Sequence, residues 1–150
     1  MSYQVRRAAL EDIDSLAVLF DAYRSFYGQA SDLERARDFL CARLSNQQSV
    51  LLVAEERASL LGFAQLYPSF SSVRASRVWI LNDLFVTHDA RRRGVARALA
   101  DAAIDFARSD GAIRVELETM PDNNAARALY EVSGWQRYDE TLRYHYVTSC

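Results

Sequence analysis

The sequence predicts a mixed α/β fold, in which helices cover both faces of a twisted sheet. The hydrophobic period is helical from Ile13 to Leu44, changes to short apolar runs after Ser49, and alternates between strand and helix patterns in the second half. Such alternation is typical of a sheet with helices on both faces. A chain of 150 residues with 50% hydrophobic content fits one domain spanning residues 1–150.

The chain begins with a short strand, predicted over residues 3–8, and two amphipathic helices. Apolar side chains recur every three or four residues from Ile13 to Tyr27, which is the spacing of one helical face. The same spacing returns from Asp32 to Leu44, where no glycine or proline interrupts it. We therefore expect two separate helices.

A hairpin and a central strand follow. Residues 50–54 and 60–67 are apolar runs on either side of a polar link, which is the pattern of a β-hairpin. The proline and serines after it predict a surface loop over residues 69–76. Residues 78–86 are apolar on both alternating faces except at two polar positions, as expected of a strand that is covered on both sides.

The second half predicts two further helices and two further strands. Apolar residues return at helical spacing from Val95 to Phe106, and Gly111 ends that helix. We expect a strand over residues 113–117, a helix over residues 124–133, and a final strand over residues 141–147. This order places the strands and helices of the second half alternately along the chain.

Composition and charge argue against several classes of protein. No segment of about 18 apolar residues and no apolar leader is present, so we expect a soluble, cytoplasmic protein. Two cysteines without a Cys/His cluster suggest neither a metal site nor a disulfide framework. A net charge of −2 does not fit a nucleic-acid binder that neutralises many phosphates. The basic run over residues 91–93 therefore marks either a local anion site or a solvated turn.

The junction between the central strand and the next helix is the most informative segment. A strand that turns tightly into a helix leaves backbone N–H groups unpaired where the helix dipole is positive, and phosphate groups bind there. Gly94 allows close backbone approach, and the small Ala96 keeps bulk away. The segment lacks the Gly-Lys-Ser/Thr of a Walker A loop and the glycines of the dinucleotide fingerprint.

A third pattern does fit this turn. Arg91-x-x-Gly94-x-Ala96 resembles the Arg/Gln-x-x-Gly-x-Gly/Ala signature of the GNAT superfamily of N-acetyltransferases, whose turn binds the pyrophosphate of CoA. The segment from Asn124 to Trp135, with its Leu-Tyr pair and a later Gly-Trp pair, resembles the downstream Asn…Leu-Tyr-x-x-x-Gly-Phe motif of that superfamily. The resemblance covers nearly the whole chain and implies the acyl-CoA N-acyltransferase fold, whose sheet is mixed and mostly antiparallel. It also implies acetyl-CoA as cosubstrate and no metal.

The resemblance also implies which residues bind acetyl-CoA. The strand from Leu84 to Val86 pairs with the pantetheine arm, and a backbone N–H near Val86 points at the thioester oxygen. The N–H groups of residues 93–97 bind the pyrophosphate, and Arg91 or Arg92 supplies charge. The implied cofactor-binding residues are Leu84, Phe85, Val86, Arg91, Arg92, Arg93, Gly94, Val95, Ala96, Arg97, Asn124 and Tyr130.

Acyl transfer to an amine also requires an acid and a base. Tyr130 matches the tyrosine that members of the superfamily use as general acid, although an isolated tyrosine on an apolar helix face is more often a core residue. Asn124 either contacts CoA or caps its helix. Asp83 and Glu118 are the candidate bases, because relatives place a carboxylate on one of these two strands; the alternative is a structural ion pair or a loop cap.

The acceptor is the least determined part of the function. The segment from Leu81 to Val86 is similar to the Leu-Glu-Asp-Phe-Phe-Val of the diamine acetyltransferase branch, which favours a small amine or polyamine. A protein lysine or N-terminus, a non-catalytic acyl-CoA-binding module and a scaffold without cofactor are the alternatives. The candidate acceptor-binding residues are Tyr23, Tyr27, Asp32 and Asn82.

Members of the superfamily commonly dimerise through terminal strands, so we also expect a homodimer.

Overall fold

The computed structural model describes residues 2–149. Within this range the regular elements follow the predicted order, and two short 3-10 turns, Leu10–Asp12 and His88–Ala90, precede the first and third helices. The strands are β1 (Gln4–Arg7), β2 (Val50–Glu56), β3 (Ser59–Ser71), β4 (Ser76–Val86) and β5 (Arg114–Glu116). The helices are α1 (Ile13–Phe26), α2 (Leu33–Ser45), α3 (Val95–Ser109) and α4 (Asn124–Val132).

The sheet has the order β1-β2-β3-β4-β5 and is antiparallel except between β4 and β5, which run parallel. The predicted mixed and mostly antiparallel sheet is therefore confirmed. Its β2–β3 hairpin turns at Arg57 and Ala58, both of which have positive φ, as two-residue hairpin turns often require. Contacts divide the chain into two compact units, Met1–Glu118 and Thr119–Cys150.

Helices of the first unit cover both faces of the sheet. On one face, α1 and α2 bury Leu16 and Leu40 against Val53 and Phe63 of the strands. On the other face, the ring of Phe106 in α3 packs edge-on against Trp79 of β4, with 5.0 Å between centroids. Alternation along the strands separates the two faces, so each helix buries an apolar stripe against its own side of the sheet.

The predicted loop over residues 69–76 is wrong. β3 continues to Ser71 and pairs with β4 from its first residue, Ser76, so that only a tight turn separates the two strands. Pro68 does not end the strand, because pairing with β2 stops at Leu66 and only β4 lies beside β3 from that point. Proline lacks the N–H of a ladder bond and is tolerated where a strand has an open side.

The predicted final strand over residues 141–147 is also wrong. The described part of the second unit contains α4 but no strand, and residues 136–149 have no regular structure and are exposed. An apolar alternating segment forms a strand only where another strand accepts its backbone hydrogen bonds, and no strand lies within residues 119–149. The homodimer expected from this segment stays a prediction.

Residues 2–149 contain neither a membrane-spanning helix nor a cluster of metal ligands. None of the helices in this range is long and apolar enough to cross a membrane. No three His, Cys, Asp or Glu side chains of the same range lie together as metal ligands would. Cys41 lies in α2 as a free thiol, and Cys150 lies outside the described residues.

Candidate active site

An irregularity in β4 lies at the centre of the candidate site. Gln65 of β3 pairs with Asp83, but the next residue, Leu66, pairs with Leu81, so Asn82 is an extra residue of β4. Such a bulge bends a strand and changes which side chain faces the core. Here the side chain of Asn82 is exposed, while Asp83 is buried with 4% of its surface accessible.

Asp83 is buried without a cation. Its carboxylate accepts hydrogen bonds from Gln65 Nε2 at 2.7 Å and from Asn82 Nδ2 at 2.9 Å, and it forms no ion pair within residues 2–149. Burial raises the pKa of Asp83, and the hydrogen bonds from Gln65, Tyr23 and Asn82 oppose that rise. A carboxylate whose pKa is raised toward neutrality is suited to accept a proton from an amine.

Aromatic side chains surround this carboxylate. The hydroxyl of Tyr23 in α1 lies 3.4 Å from the carbonyl oxygen of Asn82 and interacts with Asp83. The ring of Tyr23 packs edge-on against exposed Tyr27, with 5.1 Å between centroids. Burial and the charge of Asp83 raise the pKa of Tyr23, and together they raise the pKa of Tyr67 in β3 to about 12. Both phenols therefore stay neutral near Asp83.

The turn between β4 and α3 presents a row of unpaired donors. Arg92 and Gly94 have φ values of 65° and 78°, so the chain passes twice through the left-handed region before α3 begins. None of the six backbone N–H groups of residues 92–97 donates to an acceptor within residues 2–149. Donors arranged in this way at a helix N-terminus fit a phosphate group.

The three consecutive arginines of this turn have different partners. Arg91 Nε donates to the carbonyl oxygen of Val86 at 3.3 Å. Arg93 forms a salt bridge with Glu56 at 2.7 Å. Within residues 2–149, Arg92 is exposed and forms neither a hydrogen bond nor an ion pair, so its guanidinium is available to a phosphate.

Two residues that sequence reasoning missed stabilise this turn. Tyr3, beside β1, packs its ring against the guanidinium of Arg93 at 5.7 Å, and its hydroxyl lies 3.4 Å from the Arg93 carbonyl oxygen. Glu56, at the end of β2, forms the salt bridge with Arg93, and its pKa is lowered to about 2 by the hydrogen bonds from Arg93 and Ser2. Both contacts join positions far apart in the chain, which local sequence patterns do not reveal.

The second unit contains the two remaining motif residues. The side chain of Asn123, not Asn124, caps α4 by accepting a hydrogen bond from the Ala126 N–H at 3.2 Å. Asn124 is the first residue of the helix and its side chain is exposed, so the capping alternative for Asn124 is wrong. Tyr130 is half-buried, and its ring lies 5.7 Å from that of Trp135, whose backbone N–H donates to the Tyr130 carbonyl oxygen.

Two other predicted site residues have different surroundings. Glu118 lies beyond the end of β5 and is exposed, in contrast to buried Asp83. Asp32 caps α2, since its side chain accepts a hydrogen bond from the Arg35 N–H at 3.0 Å. The structure thus brings Tyr23, Asn82 and Asp83 together in the first unit, while Asp32 serves a helix end.

The five-stranded, mostly antiparallel sheet, with its row of unpaired donors in the turn after β4, matches the fold of acyl-CoA-dependent N-acyltransferases. The sequence model of the acetyltransferase (GNAT) family matches residues 16–135. The chain therefore belongs to this family and is an acetyltransferase.

Known proteins resemble the chain over between about two thirds and nearly all of its length. An uncharacterized N-acetyltransferase, YhfO, of Bacillus subtilis (strain 168) is 48% identical over 142 residues, which cover 95% of this chain and 94% of the relative. A probable acetyltransferase of Haemophilus influenzae is 38% identical over 96 residues, covering 63% of this chain and 66% of the relative. The crystal structure of a probable acetyltransferase superposes with a TM-score of 0.91 at 44% identity, covering 98% of this chain and 99% of that chain.

Proposed function

We propose that the protein transfers the acetyl group of acetyl-CoA to a primary amine by direct attack, with a small amine or polyamine as the favoured acceptor. The observation that carries this proposal is the row of six unpaired backbone N–H groups over residues 92–97. These donors, together with the free guanidinium of Arg92, match the charge and hydrogen-bonding capacity of a diphosphate. Acetyl-CoA supplies the activated acetyl thioester.

Residues of the turn and of β4 bind the cosubstrate in this proposal. The N–H groups of residues 93–97 bind the pyrophosphate, and Arg92 neutralises part of its charge. Arg91 and Arg93 have protein partners and act chiefly by shaping the turn. The end of β4, from Leu84 to Val86, offers backbone groups to the pantetheine arm, as a strand edge does to an extended ligand.

Asp83 accepts the proton that the acceptor amine loses on attack. Its buried carboxylate is a stronger base than an exposed one, since burial raises its pKa. Tyr23 and Tyr27 add aromatic faces that attract an ammonium group, by about 0.5–2 kcal/mol. A buried carboxylate behind aromatic rings favours a cationic acceptor, and this supports a small amine or polyamine over an uncharged substrate.

Tyr130 is the general acid of the proposal. Its position in the Asn124–Trp135 motif supports this role, since the motif tyrosine of the superfamily protonates the leaving thiolate. A phenol with a pKa of about 10 transfers a proton to a thiolate whose conjugate acid has a pKa of about 8.5 at little cost. Asn124, whose side chain is exposed and does not cap α4, is left to contact CoA.

A thiol-release screen with acetyl-CoA tests the proposal. The protein is incubated with polyamines, amino acids, aminoglycosides and histone-like peptides, and thermal shift with acetyl-CoA is measured in parallel. We expect stabilisation by acetyl-CoA and amine-dependent thiol release, fastest with polyamines. Stabilisation without release would support a non-catalytic binding module, and release only with peptides would overturn the proposed acceptor class.

A further inference from the structure

The buried polar side chains of the described residues form one hydrogen-bonded chain. Within residues 2–149 only Ser49, Gln65 and Asp83 are both polar and buried, with 7%, 0% and 4% of their surface accessible. Ser49 Oγ donates to Gln65 Oε1 at 2.8 Å, and Gln65 Nε2 donates to Asp83 Oδ2 at 2.7 Å. Since a buried polar group without a partner is destabilising, the three residues depend on one another.

The orientation of these hydrogen bonds determines which end of the Gln65 amide faces Asp83. With Oε1 of Gln65 facing Ser49, the amide NH₂ group faces the carboxylate, which is the arrangement that gives both neighbours a favourable contact. The opposite arrangement would place a carbonyl oxygen against a carboxylate oxygen. Because the hydroxyl of Ser49 can donate or accept, the carboxylate of Asp83 decides this orientation, and Ser49 satisfies the amide oxygen of Gln65 at the other end.

The contact lies at the bulge of β4. Gln65 and Asp83 are the last paired residues before the register shifts around Asn82, and Asn82 Nδ2 donates to the second oxygen of Asp83. The carboxylate is thus fixed from both sides while it interacts with the hydroxyl of Tyr23. An apolar pair would fill this position in the sheet without the cost of burying a charge, so packing alone does not account for the polar residues.

We propose that Gln65 is a positioning residue for acetyl transfer, which holds the carboxylate of Asp83 beside the hydroxyl of Tyr23 through a hydrogen bond from its amide. Ser49 holds the oxygen of the same amide. This inference rests on the proposed function, in which Asp83 is the base. The titratable groups that face Asp83 are Tyr23 from α1 and Tyr67 from β3, and the guanidinium of Arg43 from α2 acts on Tyr67. Gln65 itself does not titrate, so its effect should appear in the pH at which Asp83 loses its proton.

The test compares two variants on the pH dependence of kcat/KM with the best amine of the screen. Gln65→Met removes the donor to Asp83 at nearly constant volume, and we expect the acidic limb to move up by about one pH unit, the size of a lost hydrogen bond to a charged group. The matched control Ser49→Ala removes only the outer bond and should move the limb by less than half as much. The acetyl-CoA dissociation constant should stay within about threefold of wild type in both.

Two results distinguish this inference from the function on which it rests. If Asp83→Asn changes the profile but Gln65→Met only scales it, Gln65 is merely structural and the inference is overturned. If Asp83→Asn leaves the profile unchanged, the proposal that Asp83 is the base is wrong, whatever Gln65→Met does. Should Gln65→Met not fold, Gln65→Asn replaces it, because its shorter amide stays polar but does not span the gap to Asp83; an unshifted limb in that variant would equally overturn the inference.

Discussion

The guanidinium of Arg93 and the carboxylate of Glu56 lie 2.7 Å apart and join the turn between β4 and α3 to the β2–β3 hairpin. Tyr3, which lies directly before β1, contacts the same arginine. The contact restrains the backbone on which residues 92–97 present their N–H groups. Binding of acetyl-CoA should therefore depend on a side chain that is not itself a ligand.

Glu56→Gln should weaken acetyl-CoA binding by about two- to fivefold, since a salt bridge that is only partly buried contributes modestly and is screened by salt. The effect should shrink as ionic strength rises. Because the pKa of Glu56 is lowered to about 2, the difference from wild type should persist at mildly acidic pH. Calorimetric titration with acetyl-CoA measures it.

Asp14→Asn is the matched control for Glu56→Gln, since it removes the exposed salt bridge between Asp14 and Arg37, far from the turn in sequence. It should leave acetyl-CoA affinity unchanged. Equal effects of the two variants would show that the Glu56 contact does not act on the turn.

Gly94→Glu should abolish detectable acetyl-CoA binding. Gly94 has a φ of 78°, and an added Cβ would meet only the Tyr3 hydroxyl, at 3.8 Å, so the new side chain has room in the protein but lies among the phosphate donors. Gly111→Glu is the control, because Gly111 has a φ of 82° with nothing within 4 Å and carries the same backbone strain and charge at the other end of α3. Unchanged affinity in Gly94→Glu, or equal loss in both variants by calorimetry, would contradict the pyrophosphate assignment.

Tyr130→Phe should lower kcat by about 10² to 10⁴ and leave the acetyl-CoA dissociation constant nearly unchanged, because a general acid acts in the transition state. Tyr138→Phe removes the hydroxyl of an exposed tyrosine in the same unit and should have no effect. Steady-state kinetics measure kcat, and calorimetry measures the acetyl-CoA dissociation constant. A drop in kcat of less than about threefold would remove Tyr130 from the acid role.

Asp83→Asn should stabilise the protein increasingly as pH rises. The pKa of Asp83 is raised in the folded state, so the native protein retains a proton that the unfolded chain has already lost, and the stability of wild type falls as pH rises above the ordinary carboxyl value of 3.8 until the folded pKa is passed. Asparagine does not titrate, so the stability of the variant does not fall in this way as pH rises. We expect its Tm to exceed that of wild type by a few degrees at neutral pH, since about 1 kcal/mol shifts Tm by roughly 2–4 °C at this size.

Melting curves between acidic and neutral pH measure this difference. Asp101→Asn, which changes an exposed carboxylate on α3, is the control and should run parallel to wild type. A difference between Asp83→Asn and wild type that shrinks as pH rises would mean that the Asp83 environment favours the charged form.

Periodicity predicted the elements whose apolar faces are buried. Helices α1, α2 and α3 follow the spacing of residues such as Leu16, Leu40 and Leu99, all fully buried, and the hydrophobic effect imposes that spacing wherever a helix packs on a sheet. The tight turn between β4 and α3 could also be predicted from the sequence, because it needs a residue of positive φ and Gly94 occupies that position.

The pairing of strands that are far apart in the sequence could not be predicted from local patterns. Pro68 indicated a loop, but whether proline is tolerated depends on which strand lies beside it. The alternating segment at residues 141–147 lacks a strand within its own unit. Gln65, by contrast, is recognisable in the sequence: it interrupts an apolar run, as Asp83 interrupts the next strand, and the two form a hydrogen bond.

The central claim is that an amine loses its proton to Asp83 as it attacks acetyl-CoA bound at the turn. The direct test is the pH–rate profile of Asp83→Asn against wild type, with the best amine of the screen at saturating acetyl-CoA. Without the carboxylate, the rate should be lowest relative to wild type near neutral pH and recover toward pH 10, where the free amine is abundant at a pKa of about 10.4. A profile that is only scaled, with no change of shape, would contradict the claim and leave Glu118 as the carboxylate to test.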